Sequence, residues 1–331
     1  MVISRWADGR RETIQTIQWV AGGWERVSGA LRERGMIMRS LIGRVPAVVW
    51  TGVLAFLLTV LAGGVWTGLL VANLATTPAI PWAVAVMAVL LWLMWRLLGG
   101  WGARRAADAR RRSLRAVWLP SRVFAWALAA GVLSIIAVAG LWIVLAQLTR
   151  VPARALPDYS AYPALTVALV LLMASLVSSV AEEAGFRGYF QGALERVGAG
   201  PLAILVAAMV IAPAHALTQG FVWPVLVFYL CVDSMLGTMA YLTGSIVPGI
   251  VVHALGLLVF FTLVWPGDAI RQVVGAGSAH AWLWIHVAQT VLFAALALLA
   301  FRQLARATQA VETAAPLANS VAVAGDRRPS Q

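Results

Sequence analysis

The sequence predicts an all-α, polytopic integral membrane protein with about eight transmembrane helices. Three observations carry that expectation. The 331-residue chain is 61% hydrophobic and 11% charged, with a mean hydropathy of +0.85, far from the balance of soluble domains. Apolar windows of roughly 20 residues, the length that crosses a hydrocarbon core, recur along nearly the whole chain. The basic residues, every one an Arg, cluster in segments that would face one side of a membrane. The net charge of +12 would suggest nucleic acid in a soluble protein. Here the clusters flank apolar spans and suit anionic headgroups, so nucleic acid is not expected as a partner.

In chain order, residues 1–44 form a basic segment carrying Arg5, Arg10, Arg11, Arg26, Arg32, Arg34, Arg39 and Arg44. Its scattered Trp6, Ile14, Ile17, Trp19 and Val27 suit an amphipathic surface helix. A plain alternative starts translation at Met36 or Met38, and no cleaved signal peptide is expected. Residues 45–302 form the membrane domain, with windows at 46–72, 79–98, 123–148, 164–187, 201–219, 222–243, 246–265 and 281–301. The loop after the second window holds Arg104, Arg105, Arg110, Arg111, Arg112, Arg115 and Arg122, and the C-terminal end adds Arg302, Arg306, Arg327 and Arg328. The opposite loops offer Arg150, Arg154 and Arg271. This positive-inside asymmetry predicts a multi-pass cell-membrane protein with cytoplasmic termini. Trp50, Trp82, Trp101, Trp118, Trp223, Trp265 and Trp282 fall near window ends, as an interfacial belt should. The lone Cys231 reads as a packing residue, and residues 303–331 read as a disordered tail.

Polar residues interrupt the fourth to seventh windows, where ionisable groups are costly and by default functional. With Gly198-Ala199-Gly200-Pro201 as a turn, Glu182 lies 17 residues before Ala199 and His215 lies 16 after it. At about 1.5 Å per helical residue both sit roughly 24–26 Å from the tip, at one depth. Around Thr243-Gly244-Ser245, Asp233 and His253 are matched in the same way. Glu183 and Arg187, at i and i+4, read as a neutralising pair that leaves Glu182 on a neighbouring face. Asp233 reads as a structural hydrogen-bond partner, and His280 and His286 as interfacial residues.

Glu182-Glu183-x-x-x-Arg187, extended by Phe186-Arg187-Gly188-Tyr189-Phe190 and followed by His215 and His253, resembles the CPBP family of intramembrane proteases. These are relatives of the type II CAAX prenyl endopeptidases, also called the Abi family. The resemblance covers about 164–260, a protease-like core. It implies a glutamic-type endopeptidase in which Glu182 activates a water, His215 orients it and His253 stabilises the oxyanion. Glu183 and Arg187 would hold the orientation of Glu182. Two positions depart from the family pattern. Ile211 stands where Phe is usual, and Leu257 stands where the family has an Asn thought to help hold the oxyanion. Leu cannot donate a hydrogen bond.

A carboxylate in water-poor surroundings is a competent base for water, so the implied chemistry is sensible without a cofactor. The same Glu182, His215 and His253 could instead hold a divalent metal such as zinc with an open position. The expected substrate is a peptide segment of a membrane-associated or exported protein. The alternative, supported by Leu257, is a weak or inactive member acting as a membrane scaffold or immunity protein. A proton-linked transporter using Glu182, His215 and Asp233 as a relay is a third class, and the lack of an internal repeat or matched broken spans argues against it.

Overall fold

A computed structural model describes residues 47–149, 159–270 and 281–325. The basic segment 1–44 and His280 lie outside the described residues. The chain divides into two compact units, Met1–Trp50 and Thr51–Gln331. The first contributes only residues 47–50 to the described part, and the packing below belongs to the second.

Among the described residues the regular secondary structure is all helical, with no strand. The helices are α1 (Ala47–Thr76), α2 (Trp82–Leu98), α3 (Arg104–Leu114), α4 (Ser121–Leu148), α5 (Ala164–Glu182), α6 (Gly192–Arg196), α7 (Leu202–Gln219), α8 (Trp223–Thr243), α9 (Val247–Val259) and α10 (Ala281–Gly325). A π-helical run, Glu183–Gln191, joins α5 to α6, so Ala164–Arg196 is one continuous helical rod. A second π-helical run, Phe260–Val264, prolongs α9. Among the described residues six helices are long and apolar enough to cross a membrane, and Trp82–Leu98 and Leu202–Ala216 are shorter apolar ones. Each starts within about three residues of its apolar window. The protein is thus an all-α, multi-pass membrane protein.

Local chemistry sets the boundaries. Pro224 and Pro248 occupy the first turns of α8 and α9, where a missing amide costs nothing. Gly244 closes α8 in the left-handed region (φ 62°), its amide bonded to the Ala240 carbonyl. Gly198 (φ 92°) likewise turns the chain between α6 and α7. The linker after α3 is tied to the α8–α9 turn. The Arg115 carbonyl accepts from the Ile246 amide at 3.1 Å, and Ser245 Oγ donates to the Val117 carbonyl at 2.5 Å. These bonds fix the entry of α9, and with it the height of His253.

Two sequence expectations change. Glu183 to Arg187 lies inside the long rod rather than at the end of a span. α10 runs as helix to Gly325, through residues 303–325 that read as a disordered tail. The stretch holds eight Ala residues, which favour helix once a preceding helix has nucleated it.

The interior is built from small residues and aromatic rings. α4 packs along α10, α7 along α8, and α5 against α2 and α9. A methyl group added at Gly140 of α4 would lie 2.7 Å from Thr290 Oγ1 of α10, and one at Gly131 would collide with Val252 of α9. Such close approach is how helices associate where lipid removes the hydrophobic drive. Trp142, Phe228, Phe260 and Trp265 form an aromatic core beside α7 and α8.

Candidate active site

The site begins where α5 changes pitch. Ser175, Ser178, Ser179 and Glu182 lie on its buried face. Ser178, one turn before Glu182, donates its hydroxyl to Glu182 Oε1 at 2.7 Å. The following nine residues wind as π-helix, and two glycines seat that run against its neighbours. A Cβ at Gly185 would stand 3.2 Å from the Ala55 backbone of α1, and one at Gly188 would stand 3.0 Å from the Leu114 carbonyl of α3. π-Helical interruptions of an α-helix recur at functional sites.

The wider winding, with more residues per turn, redirects Arg187. Its guanidinium is fully buried and reaches α8, where Nη2 lies 2.6 Å from Asp233 Oδ1. Glu183 Oε1 is the more distant partner, 3.5 Å from Nη1. The Glu183–Arg187 pair expected from i,i+4 spacing is therefore present but secondary, and Asp233 is the principal counterion. Glu183 Oε1 also meets His253 Nδ1 at 3.0 Å. Gly249, one turn before His253, makes room for this carboxylate, since a Cβ there would lie 2.8 Å from Glu183 Oε2.

Glu182 stands between the two histidines. His215 Nε2 and His253 Nε2 each lie 3.7 Å from its Oε2. His215 comes from α7, two residues after Pro213, which removes a backbone donor from that helix. Its ring stacks on Tyr229 of α8, centroids 4.0 Å apart and planes 13° apart. Glu182, Glu183, Arg187, Asp233, His215 and His253 are thus one cluster held by four rods. The His215 side chain keeps 21% of its surface exposed against 10% for His253 and 9% for Glu182. The cluster is least enclosed beside His215.

A second polar tier anchors the far end of the π run. Gln191 Nε2 donates to the Gly237 carbonyl and to Glu195 Oε1, both at 2.9 Å, and Glu195 Oε2 pairs with Arg115 at 2.6 Å. On the other side of His253 lies a narrow apolar cavity of about 50 Å³, walled by Tyr229, Val252, Gly256, Leu257 and Phe260. Leu257 thus shares a cavity wall with His253 and also packs against the aromatic core. Ile211 is fully buried. Among the described residues, no three His, Cys, Asp or Glu side chains form a group arranged to hold a metal ion.

Sequence reasoning missed Ser178, Tyr229, Gly249, Gln191 and the π run. Ser178 carried a signal, its i−4 spacing from Glu182. Tyr229 and Gly249 touch the site across helices and carry no local signature.

No curated protein and no solved structure matches the chain. A family model does, over residues 164–259, and its description is Rce1-like, type II CAAX prenyl endopeptidase Rce1-like. That span runs from the first residue of α5 to the last of α9 and contains all six residues of the buried cluster, so it is in its site-bearing core that this membrane protein is similar to the Rce1-like endopeptidases.

Proposed function

We propose that this protein is an intramembrane endopeptidase of the glutamic type, hydrolysing a peptide bond in a membrane-associated or exported protein. The observation that carries the reading is Glu182 Oε2, placed 3.7 Å from two histidine Nε2 atoms while Ser178 holds its other oxygen. At 3.7 Å neither histidine bonds the carboxylate directly, since N–H···O bonds run about 2.7–3.2 Å. The spacing suits a shared water or substrate oxygen among the three groups.

In this mechanism Glu182 takes a proton from the water, whose oxygen adds to the peptide carbonyl carbon. The carbonyl electron pair moves onto oxygen, and the oxyanion is met by an imidazole N–H. Collapse breaks the C–N bond, and the proton held by Glu182 passes to the leaving amine. His215, on the more exposed side, orients the water. His253 directs Nδ1–H to Glu183, so its Nε2 accepts in the neutral ring and donates to the oxyanion as imidazolium. Arg187 and Asp233 act as positioning residues that fix Glu183. The chemistry is written without a metal ion, and both termini are placed in the cytoplasm on the Arg asymmetry.

The second reading, a scaffold or immunity-type member that binds without cleaving, rests on Leu257. Purified full-length protein in detergent, offered a tethered peptide library beside a Glu182→Ala control, separates the two. Turnover that survives chelators and vanishes in the control supports the protease. Capture without cleavage supports the scaffold, and turnover unchanged in Glu182→Ala overturns the mechanism. Reporter fusions at Asp158 and Gln331 test the topology, and a report from the same side would overturn it.

A further inference from the structure

We propose that the C-terminal end of α2 and the adjoining α3 form a binding site for the phosphate of an anionic lipid headgroup, independent of the buried cluster. An open pocket of about 470 Å³ lies there, lined by Trp95, Arg96, Gly99–Gly102 and Arg111. Residues 95–111 hold five arginines (Arg96, Arg104, Arg105, Arg110, Arg111) and one carboxylate, Asp108. Among the described residues none of the five arginines is in an ion pair.

Two features distinguish this pocket from an ordinary solvated basic face. The first is that three of the guanidiniums, those of Arg96, Arg110 and Arg111, are held in place. Arg110 Nε donates to the Leu97 carbonyl at 2.7 Å and its Nη2 to the Trp101 carbonyl. Arg111 Nε donates to the Gly99 carbonyl at 2.7 Å. Both cap the carbonyl end of α2, the negative end of its dipole, and spend only part of their five N–H donors doing so. Arg96 lies over two indoles, 5.8 Å from the Trp92 centroid and 5.9 Å from that of Trp101, within cation–π range. Gly100 completes the cradle, since at φ 92° any Cβ would collide with the Arg111 guanidinium. The positive groups therefore lose little further side-chain freedom on meeting an anion.

The second feature identifies the anion's source. The pocket sits at the end of an apolar helix, ringed by exposed Trp92, Trp95, Leu97 and Trp101. Indoles with one apolar and one wet side mark the headgroup level of a bilayer. A phosphodiester at Arg96 and Arg111 would leave its acyl chains against Trp95 and Leu97. A free anion would use the arginines alone and gain nothing from this apolar rim.

The test uses the full chain in a neutral detergent, with thermal unfolding and native mass spectrometry as readouts. The probes are phosphatidylglycerol, phosphatidylcholine of the same acyl chains, and millimolar inorganic phosphate. Phosphatidylglycerol should raise the midpoint and stay bound in the gas phase, with little effect from the other two. Arg96→Gln should weaken binding by about fivefold. The Arg96 side chain makes no hydrogen bond among the described residues, and its carbonyl keeps the Trp101 amide in the variant, so Arg96→Gln keeps the helix cap and should fold as the parent does. Arg111→Gln should weaken binding further, and Arg111→Lys should restore it in part. Equal stabilisation by phosphatidylcholine, saturation by inorganic phosphate alone, or full binding in a folded Arg96→Gln/Arg111→Gln protein would each overturn the proposal.

Discussion

Two histidines in this protein make the same first bond and lead to different chemistry. On α9, His253 Nδ1 lies 3.0 Å from Glu183 Oε1. On α10, His286 Nδ1 lies 3.0 Å from Gln289 Oε1. Beyond that bond the two regions diverge. Gln289 passes its amide N–H to the Ile136 carbonyl of α4 at 2.9 Å, so the His286 chain ends in backbone and serves helix packing. Glu183 faces the Arg187 guanidinium, which faces Asp233, and the far nitrogen of His253 looks onto Glu182. A part-buried, bonded histidine is ordinary in a helical bundle. A carboxylate behind one ring nitrogen and a second carboxylate in front of the other is what makes His253 a candidate for proton and charge handling.

The largest test of that contrast is Glu182→Gln against His286→Gln. The Glu182 change keeps size and a partner for Ser178 but removes the base. Peptide cleavage should fall by about 10²–10⁴, the usual contribution of a positioned general base, with little change in unfolding temperature. His286→Gln should leave the rate as it was. Loss of activity only in the second variant would reverse the comparison.

Leu257→Asn comes next. The new amide would lie one helical turn from His253 and on the same cavity wall, where i and i+4 side chains are neighbours. If the oxyanion lacks a second donor beside His253, cleavage should rise by up to about 10²-fold. The remaining cavity wall is apolar, so a cost in thermal stability should accompany the gain. A folded variant with unchanged rate would place the donor elsewhere, and inactivity of both proteins would favour the scaffold.

Glu183→Gln turns the first histidine pair into a copy of the second. The amide fits the space that Gly249 leaves, yet it can no longer balance Arg187 or an imidazolium. A loss of about 10–100-fold in kcat, with KM little changed, is expected from the scale of such outer partners. A purely structural Glu183 would show lower stability and an unchanged kcat.

The sequence carried the spans and the meeting of the histidines with Glu182 for one physical reason. Hydropathy marks where a helix enters lipid, and a fixed helical rise then sets depth from the distance to a turn. Gly198 and Gly244 showed those turns plainly. What escaped was rotation about the helix axis. The i,i+4 rule assumes α pitch, and Glu183–Gln191 is wound more widely, so Arg187 swings to Asp233 on α8. Gly188 stood in the motif and Gly185 at one of its unspecified positions, but their meaning lies in the backbones of α1 and α3, far away in sequence. The α10 extension escaped because polar, Ala-rich composition fits a solvated helix as well as a disordered tail.

The smallest effect should come from Ser178→Ala, and it asks which oxygen of Glu182 reacts. Ser178 holds Oε1, while both histidines face Oε2. Deleting the hydroxyl removes one hydrogen bond to a carboxylate, with a loss of about 1.5–3 kcal/mol of stability, the range for bonds to charged groups, and a correspondingly lower unfolding temperature. Its effect on rate should be slight because two consequences oppose. The freed carboxylate is less well aimed, but it also surrenders no hydrogen bond when it takes the proton. A change in kcat of less than about fivefold is expected, since only interactions that differ between ground and transition state alter the rate. A fall beyond 10² in a folded Ser178→Ala protein would mean that Oε1 is the reacting oxygen. The histidines would then flank the spectator side of Glu182, and their assigned roles would have to be exchanged for electrostatic ones.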